Sequence, residues 1–181
     1  NTELLGGSNP IITGATRSLN DNTTVTVTFN EAVYNTNSGS GSLEVSDFVF
    51  SLSGGTATLS STTPSSISIN GNAYTLGISL SGTPNGDEIL TINPASNSIY
   101  DSEGNVASTS QSNNTIQLKD ELRPTMTISS STVNSGETSN DSTISLTFTS
   151  SESTTNFIAS DITISGGSLS SFSGSGTTYT A

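Results

Sequence analysis

The sequence predicts an all-β chain of two sandwich-type units in tandem, the second incomplete. Three observations carry that prediction. Apolar residues alternate with Ser and Thr over short runs, turn residues interrupt almost every window, and the order of motifs in the first 120 residues restarts near residue 124.

Alternation is what separates this chain from a disordered one. Only 29% of residues are hydrophobic, and Ser plus Thr make up more than a third, a composition that by itself suggests disorder. Yet "TTVTVTF" at 23–29 puts Val25, Val27 and Phe29 on one face and Thr24, Thr26 and Thr28 on the other. "AYTLGISL" at 73–80 does the same with Tyr74, Leu76, Ile78 and Leu80. A period of two with β-branched residues fits half-buried strands, and hardly a window is free enough of Gly, Pro and polar clusters to form a helix.

Taken in order, residues 1–8 read as a polar tail, and a first strand starts near Pro10-Ile11-Ile12. The second occupies 23–30. A Gly/Ser/Asn-rich connection at 35–42 leads to "SDFVFSLS" at 46–53, where Phe48, Phe50 and Leu52 share a face. "TATLS" and an alternating run through Ile67 and Ile69 follow, and Asn70-Gly71 predicts a tight hairpin turn into 73–80. "EILTI" at 88–92 and "NTIQLKD" at 114–120 complete the set. About seven or eight short strands within residues 9–119 describe a sandwich of immunoglobulin-like type.

"DELRPT" marks a linker at 120–125, where Pro stops strand continuation. The pattern then restarts over 126–181. "STISLTF" at 142–148 matches "TTVTVTF", "SDITIS" at 160–165 matches "SDFVFS", and Tyr179 matches Tyr74. Nothing in the second copy matches Leu76 to Lys119, so it reads as the first half of a sandwich. The expectation is a longer natural chain, with completion by a strand from another polypeptide as the alternative.

Fifteen acidic residues stand against Arg17, Lys119 and Arg123, a net charge of −12. That balance argues against nucleic acid and against an anionic membrane surface, both of which call for clustered cations. No run is long enough for a membrane span and the first residues show no signal-peptide pattern. Cysteine is absent, so disulfides do not staple the fold.

"TVTVTFNEAV", "SDFVFSLSGG" and "IYDSEGNVAS" resemble motifs of bacterial Ig-like repeat domains, and "RPTMTISSSTVNSGETSNDSTISLTFTSSE" resembles the opening of another such repeat. The likeness covers residues 9–181. The second copy departs from the first in having "TSSES" for "NEAV" and in lacking the "DSEGN" loop. The resemblance implies a role as a spacer in large surface or adhesin-type proteins, in some cases rigidified by calcium between domains. It also implies further Ig-like repeats as neighbours, in the same chain or in adjoining subunits.

Catalysis has little to work with. There is no His or Cys, so Ser lacks its usual base partner, and Asp87-Glu88 reads as solvated loop charge. An enzyme is not expected. "DSEGN" at 101–105 offers Asp101, Glu103 and Asn105 as alternate oxygen donors, but position twelve of an EF-hand loop would be Ser112 instead of Glu. An Asx-stabilised turn explains the same residues. In a sandwich of this type, the loops at one pole would bring Glu31 and Asp47 toward Asp101, Glu103 and Asn105, with Glu3 a further candidate. The next pole would gather Asp120, Glu121, Glu152 and Asp161. Calcium suits such oxygen sets, and solvated surface charge is the competing reading.

The sequence reading is therefore a non-catalytic stalk or spacer of an extracellular or cell-surface protein. Competing readings are a filament or virion subunit completed by strand donation, with Leu4, Leu5, Ile11 and Ile12 as donor candidates, and a carbohydrate-binding module of a secreted enzyme. Sequons begin at Asn22, Asn113 and Asn140, as chance allows in so polar a chain.

Overall fold

A computed structural model describes residues 7–181. It is all-β, with antiparallel sheets and two short 3-10 turns, and forms two compact units, Asn1–Leu122 and Arg123–Ala181.

Among the described residues, the first unit has nine strands: β1 (Ile12–Arg17), β2 (Thr24–Phe29), β3 (Phe48–Ser53), β4 (Thr58–Leu59), β5 (Ile67–Asn70), β6 (Ala73–Gly77), β7 (Leu80–Ser81), β8 (Ile89–Pro94) and β9 (Thr115–Gln117). One sheet has the order β1-β2-β6-β5 and another β3-β8-β9, while β4 and β7 make a short pair. Their apolar faces meet in one core. Val25, Val27 and Phe29 of β2, Tyr74 and Leu76 of β6, Phe48 and Phe50 of β3, and Leu90 and Ile92 of β8 are all buried in it. The Phe29 ring lies 5.7 Å edge-on from Tyr74 and 6.4 Å from Phe48, so one aromatic trio joins the two sheets. Each such side chain contributes on the order of 2 kcal/mol of burial.

Three details differ from the sequence expectation. The hairpin between β5 and β6 pairs Asn70 with Ala73, so its two loop residues are Gly71 and Asn72, one later than expected. The positive φ of 59° falls on Gly71, as a Gly-first hairpin loop requires. The run 73–80 is not one strand either. It leaves the first sheet after Gly77 and reappears as β7 against β4. In "SDFVFSLS", the strand begins only at Phe48, because Val45–Asp47 forms a 3-10 turn.

Pro94 is tolerated in β8, the middle strand of its sheet, because the ladder to β9 stops at Thr91.

In the second unit, β10 (Met126–Ser130), β11 (Leu146–Thr154) and β12 (Ser173–Thr180) make one sheet in the order β10-β11-β12. Phe148 and Tyr179 are its buried hydrophobic residues. Phe157 and Phe172, from the connection between β11 and β12, fold back onto them with ring centroids 5.0 to 6.3 Å apart.

The registers correct one motif match. Tyr74 pairs with Val27, and Tyr179 pairs with Phe148. Phe148 therefore stands where Val27 stands, not where Phe29 does, and Ser150 takes the place of Phe29. A slip of two residues leaves every side chain on its own face, so alternation cannot detect it.

Candidate functional site

The loops at 30–41 and 99–106 of the first unit hold four of the residues expected to act, Glu31, Asp101, Glu103 and Asn105. Tyr34 and Tyr100 tie them together as a backbone bridge, with N–H donated both ways at 2.7 and 2.8 Å. Asp101, Glu103 and Asn105 do share one tight loop. Asp101 is buried, and its Oδ1 accepts the backbone N–H groups of Glu103 and Asn105, both at 2.8 Å, while Oδ2 accepts the Asn105 amide at 2.7 Å. Burial pushes its carboxyl up, but those donors outweigh it and hold Asp101 below the ordinary carboxylate value. Glu103 is exposed and accepts the Gly7 N–H at 2.9 Å.

Asp47 sits elsewhere, buried at the end of its 3-10 turn. Its Oδ2 accepts the Glu44 N–H at 2.7 Å, and its carbonyl accepts from Ala95 N–H and the Ser98 hydroxyl. Here burial wins, and the carboxyl is pushed above its ordinary value. Glu31 is half-buried and accepts from its neighbour Asn30 at 3.1 Å. At the end of the first unit, Asp120 accepts the Leu122 N–H, and the Glu121 N–H is donated to Pro84. In the second unit, Glu152 lies half-buried on β11, and Asp161 accepts the Ile158 N–H at 3.0 Å. Among the described residues, no group of three or more acidic side chains is placed to hold a metal ion. Glu3, Leu4 and Leu5 lie outside the described residues. Ile12, offered as part of a donor segment, is wholly buried in its own unit's core.

One carboxylate escaped the sequence reading. Glu88, which the sequence presents as solvated loop charge, is fully buried. Its Oε1 accepts the N–H groups of Thr56 and Ala57 at 2.7 and 2.9 Å, and its Oε2 those of Asn85 and Gly86, both at 3.1 Å. Burial raises its pKa, but the backbone donors outweigh burial and hold it below the usual value. Gly55, at φ 63°, leaves the room: a Cβ there would overlap the Glu88 carboxyl. A signal existed in "SGGTA" and "PNGDE", two Gly turns able to aim several N–H groups at one acid, but a single sequence does not say that they face each other.

Asn22, first of the three sequons, is buried and bonded through its amide to Lys119, so it is no glycan acceptor in the folded chain. Lys119 itself is exposed and donates to the Asn20 carbonyl at 2.8 Å. Tyr74 and Tyr179 are core residues, and Tyr34 and Tyr100 are half-buried.

Residues 120–181 match the family model of the bacterial Ig-like domain. The likeness to bacterial Ig-like repeats noted in the sequence stands for that part of the chain. No curated protein and no solved structure matches the chain.

Proposed function

We propose that this chain is a non-catalytic structural segment of an extracellular or cell-surface protein, in which tandem Ig-like units hold a more distant functional part away from the surface. The observation that carries this reading is the match of residues 120–181 to a bacterial Ig-like domain. Such domains occur in surface and extracellular proteins. The chemistry of the acids agrees with it. Glu88, Asp101 and Asp47, whose ionisation is displaced, are each engaged by backbone N–H groups that close turns. Further Ig-like repeats are the neighbours this reading implies. Labelling intact source cells with an antibody raised against this chain tests it. Surface labelling is expected, and labelling only after permeabilisation overturns it.

Calcium is a separate proposal with its own test. Because Asp101 is satisfied internally, an ion at the first pole would rely on oxygens such as those of Glu31 and Glu103. Calorimetric titration of chelator-treated protein reads this directly. Saturable heat lost in Glu103→Gln supports the ion, and no heat removes calcium while leaving the spacer role intact.

A further inference from the structure

Asn-Gly occurs twice in the chain, at Asn70-Gly71 and Asn85-Gly86. In this dipeptide a backbone nitrogen reaches the preceding side chain most easily, because glycine has no Cβ to hinder the approach. The fold treats the two copies in opposite ways.

Asn85-Gly86 is held on every side. The Gly86 N–H donates to the buried Glu88 carboxylate at 3.1 Å, and the Gly86 carbonyl accepts the Gln117 side-chain amide. The Asn85 carboxamide is fixed at both ends. Its nitrogen donates to Asp87 Oδ2 at 3.2 Å, and its oxygen accepts the Asp87 N–H at 3.3 Å. A nitrogen that already faces a carboxylate loses its proton reluctantly, since the anion left behind would sit against a like charge.

Asn70-Gly71 lies at the tip of the β5–β6 hairpin, and β5 is the edge strand of its sheet. Both residues are exposed. Among the described residues, neither the Gly71 N–H nor the Asn70 carboxamide has a hydrogen-bond partner. A Cβ placed on Gly71 would meet nothing within 4 Å, so water and hydroxide have open access to its nitrogen.

We propose that Asn70 is a site of spontaneous deamidation in the folded chain, and that the nest around Glu88 shields Asn85 from the same reaction. Hydroxide takes the Gly71 amide proton, and the nitrogen attacks the carbonyl carbon of the Asn70 side chain. As that C–N bond forms, the bond to the side-chain NH2 breaks, and ammonia leaves with a proton from water, which restores the hydroxide. Water then opens the cyclic imide at either carbonyl, giving Asp or isoaspartate. The sum consumes one water and releases one ammonia, and nothing is oxidised or reduced. Both products place a carboxylate at the hairpin tip. Isoaspartate also adds a carbon to the main chain at the last pair of the ladder, Asn70–Ala73, beside the Asn72 carbonyl that accepts the Phe29 N–H at 3.0 Å. The hairpin tip thus records the age of the chain, whatever role the chain serves, and the inference does not rest on the spacer reading.

The test keeps the full chain in warm, mildly alkaline buffer, folded in one sample and unfolded in urea in the other. Cleavage before Asp releases residues 47–86, one peptide that carries both Asn-Gly pairs. Tandem mass spectrometry reads each conversion as the mass gained when OH replaces NH2, and the same protease cuts at the Asp product but not at isoaspartate. In the folded chain Asn70 is expected to convert about tenfold or more faster than Asn85, and in urea the two rates should converge. Equal rates in the folded chain overturn the proposal. So does an Asn70 that stays intact when folded while it converts in urea. Asn70→Gln, whose longer side chain would have to close a larger ring, should lose the fast conversion. A fast mass gain that persists in residues 47–86 of that variant also overturns the assignment.

Discussion

Asn22 and Lys119 stand 97 residues apart and are joined by two reciprocal hydrogen bonds. The Asn22 amide nitrogen donates to the Lys119 carbonyl at 2.9 Å, and the Lys119 N–H is donated to Asn22 Oδ1 at 2.7 Å. A carboxamide carries its donor and its acceptor on separate atoms, as a peptide group does, so Asn22 acts as a strand neighbour for the end of the first unit.

Replacing it with Ala removes both bonds and leaves a backbone donor and acceptor without partners. Asn22→Ala is expected to cost about 2 kcal/mol of stability, read as a lower urea midpoint. Asn140→Ala, at an exposed position, is the control and should stay within about 0.5 kcal/mol of the parent. Equal midpoints for the two variants would show that the closure carries no load.

Glu88→Gln tests the buried carboxylate. A glutamine amide accepts through one oxygen only and turns its NH2 toward donors. With four N–H groups gathered on the two carboxylate oxygens, the loss should be about 3 kcal/mol. Asp87→Asn next door is exposed and should be near neutral in the same denaturation experiment.

Glu88 and Asp101 have folded pKa values below their unfolded values of 4.5 and 3.8. Their stabilisation is therefore fully present above those values and disappears as pH falls through the lower, folded ones. The urea midpoint should be flat near neutrality and fall below about pH 4.5. The gap between parent and Glu88→Gln should narrow over that range, and a gap independent of pH would contradict the assignment.

Asp47 carries the opposite sign. Its folded pKa lies above 3.8, so its ionised form is a burden at neutral pH that is relieved as the group protonates. Asp47→Asn keeps an oxygen for the Glu44 N–H while removing the charge. At pH 7 its midpoint should equal or exceed that of the parent, and any gain should fade as pH falls through the raised folded value and be gone near 3.8. A large loss at pH 7 would mean that the charge strengthens the turn by more than its burial costs.

Much of this architecture was legible because alternation shows directly which side chains go inward. Val25, Val27, Phe29, Phe48, Phe50, Tyr74 and Leu76 are all buried, as their spacing predicts. What alternation could not supply is register. The two-residue offset of Phe148 and the one-residue shift of the Gly71 turn both preserve the pattern from which they would have to be read. The acids were harder still. Neighbours as close as Asp87 and Glu88 part company because the turn before β8 leaves one exposed and places the other in a nest of turn amides. Charge alone does not distinguish an acid that faces water from one that closes a loop.

The 3-10 turn that precedes β3 also bears on how the first unit comes into being during translation. A chain is made from its N-terminus at roughly 5–20 residues per second, so Phe48–Ser53 leaves the ribosome a few seconds before Ile89–Pro94 does. Before Ile89–Pro94 has emerged, β1, β2, β5 and β6 can assemble, while the segment after Asp47 still has no strand to pair with. The nascent first unit then presents Phe48–Ser53 as an open edge. Newborn chains crowded on one messenger are thus exposed to mutual strand exchange until each has extended past Lys119, the residue that Asn22 waits for.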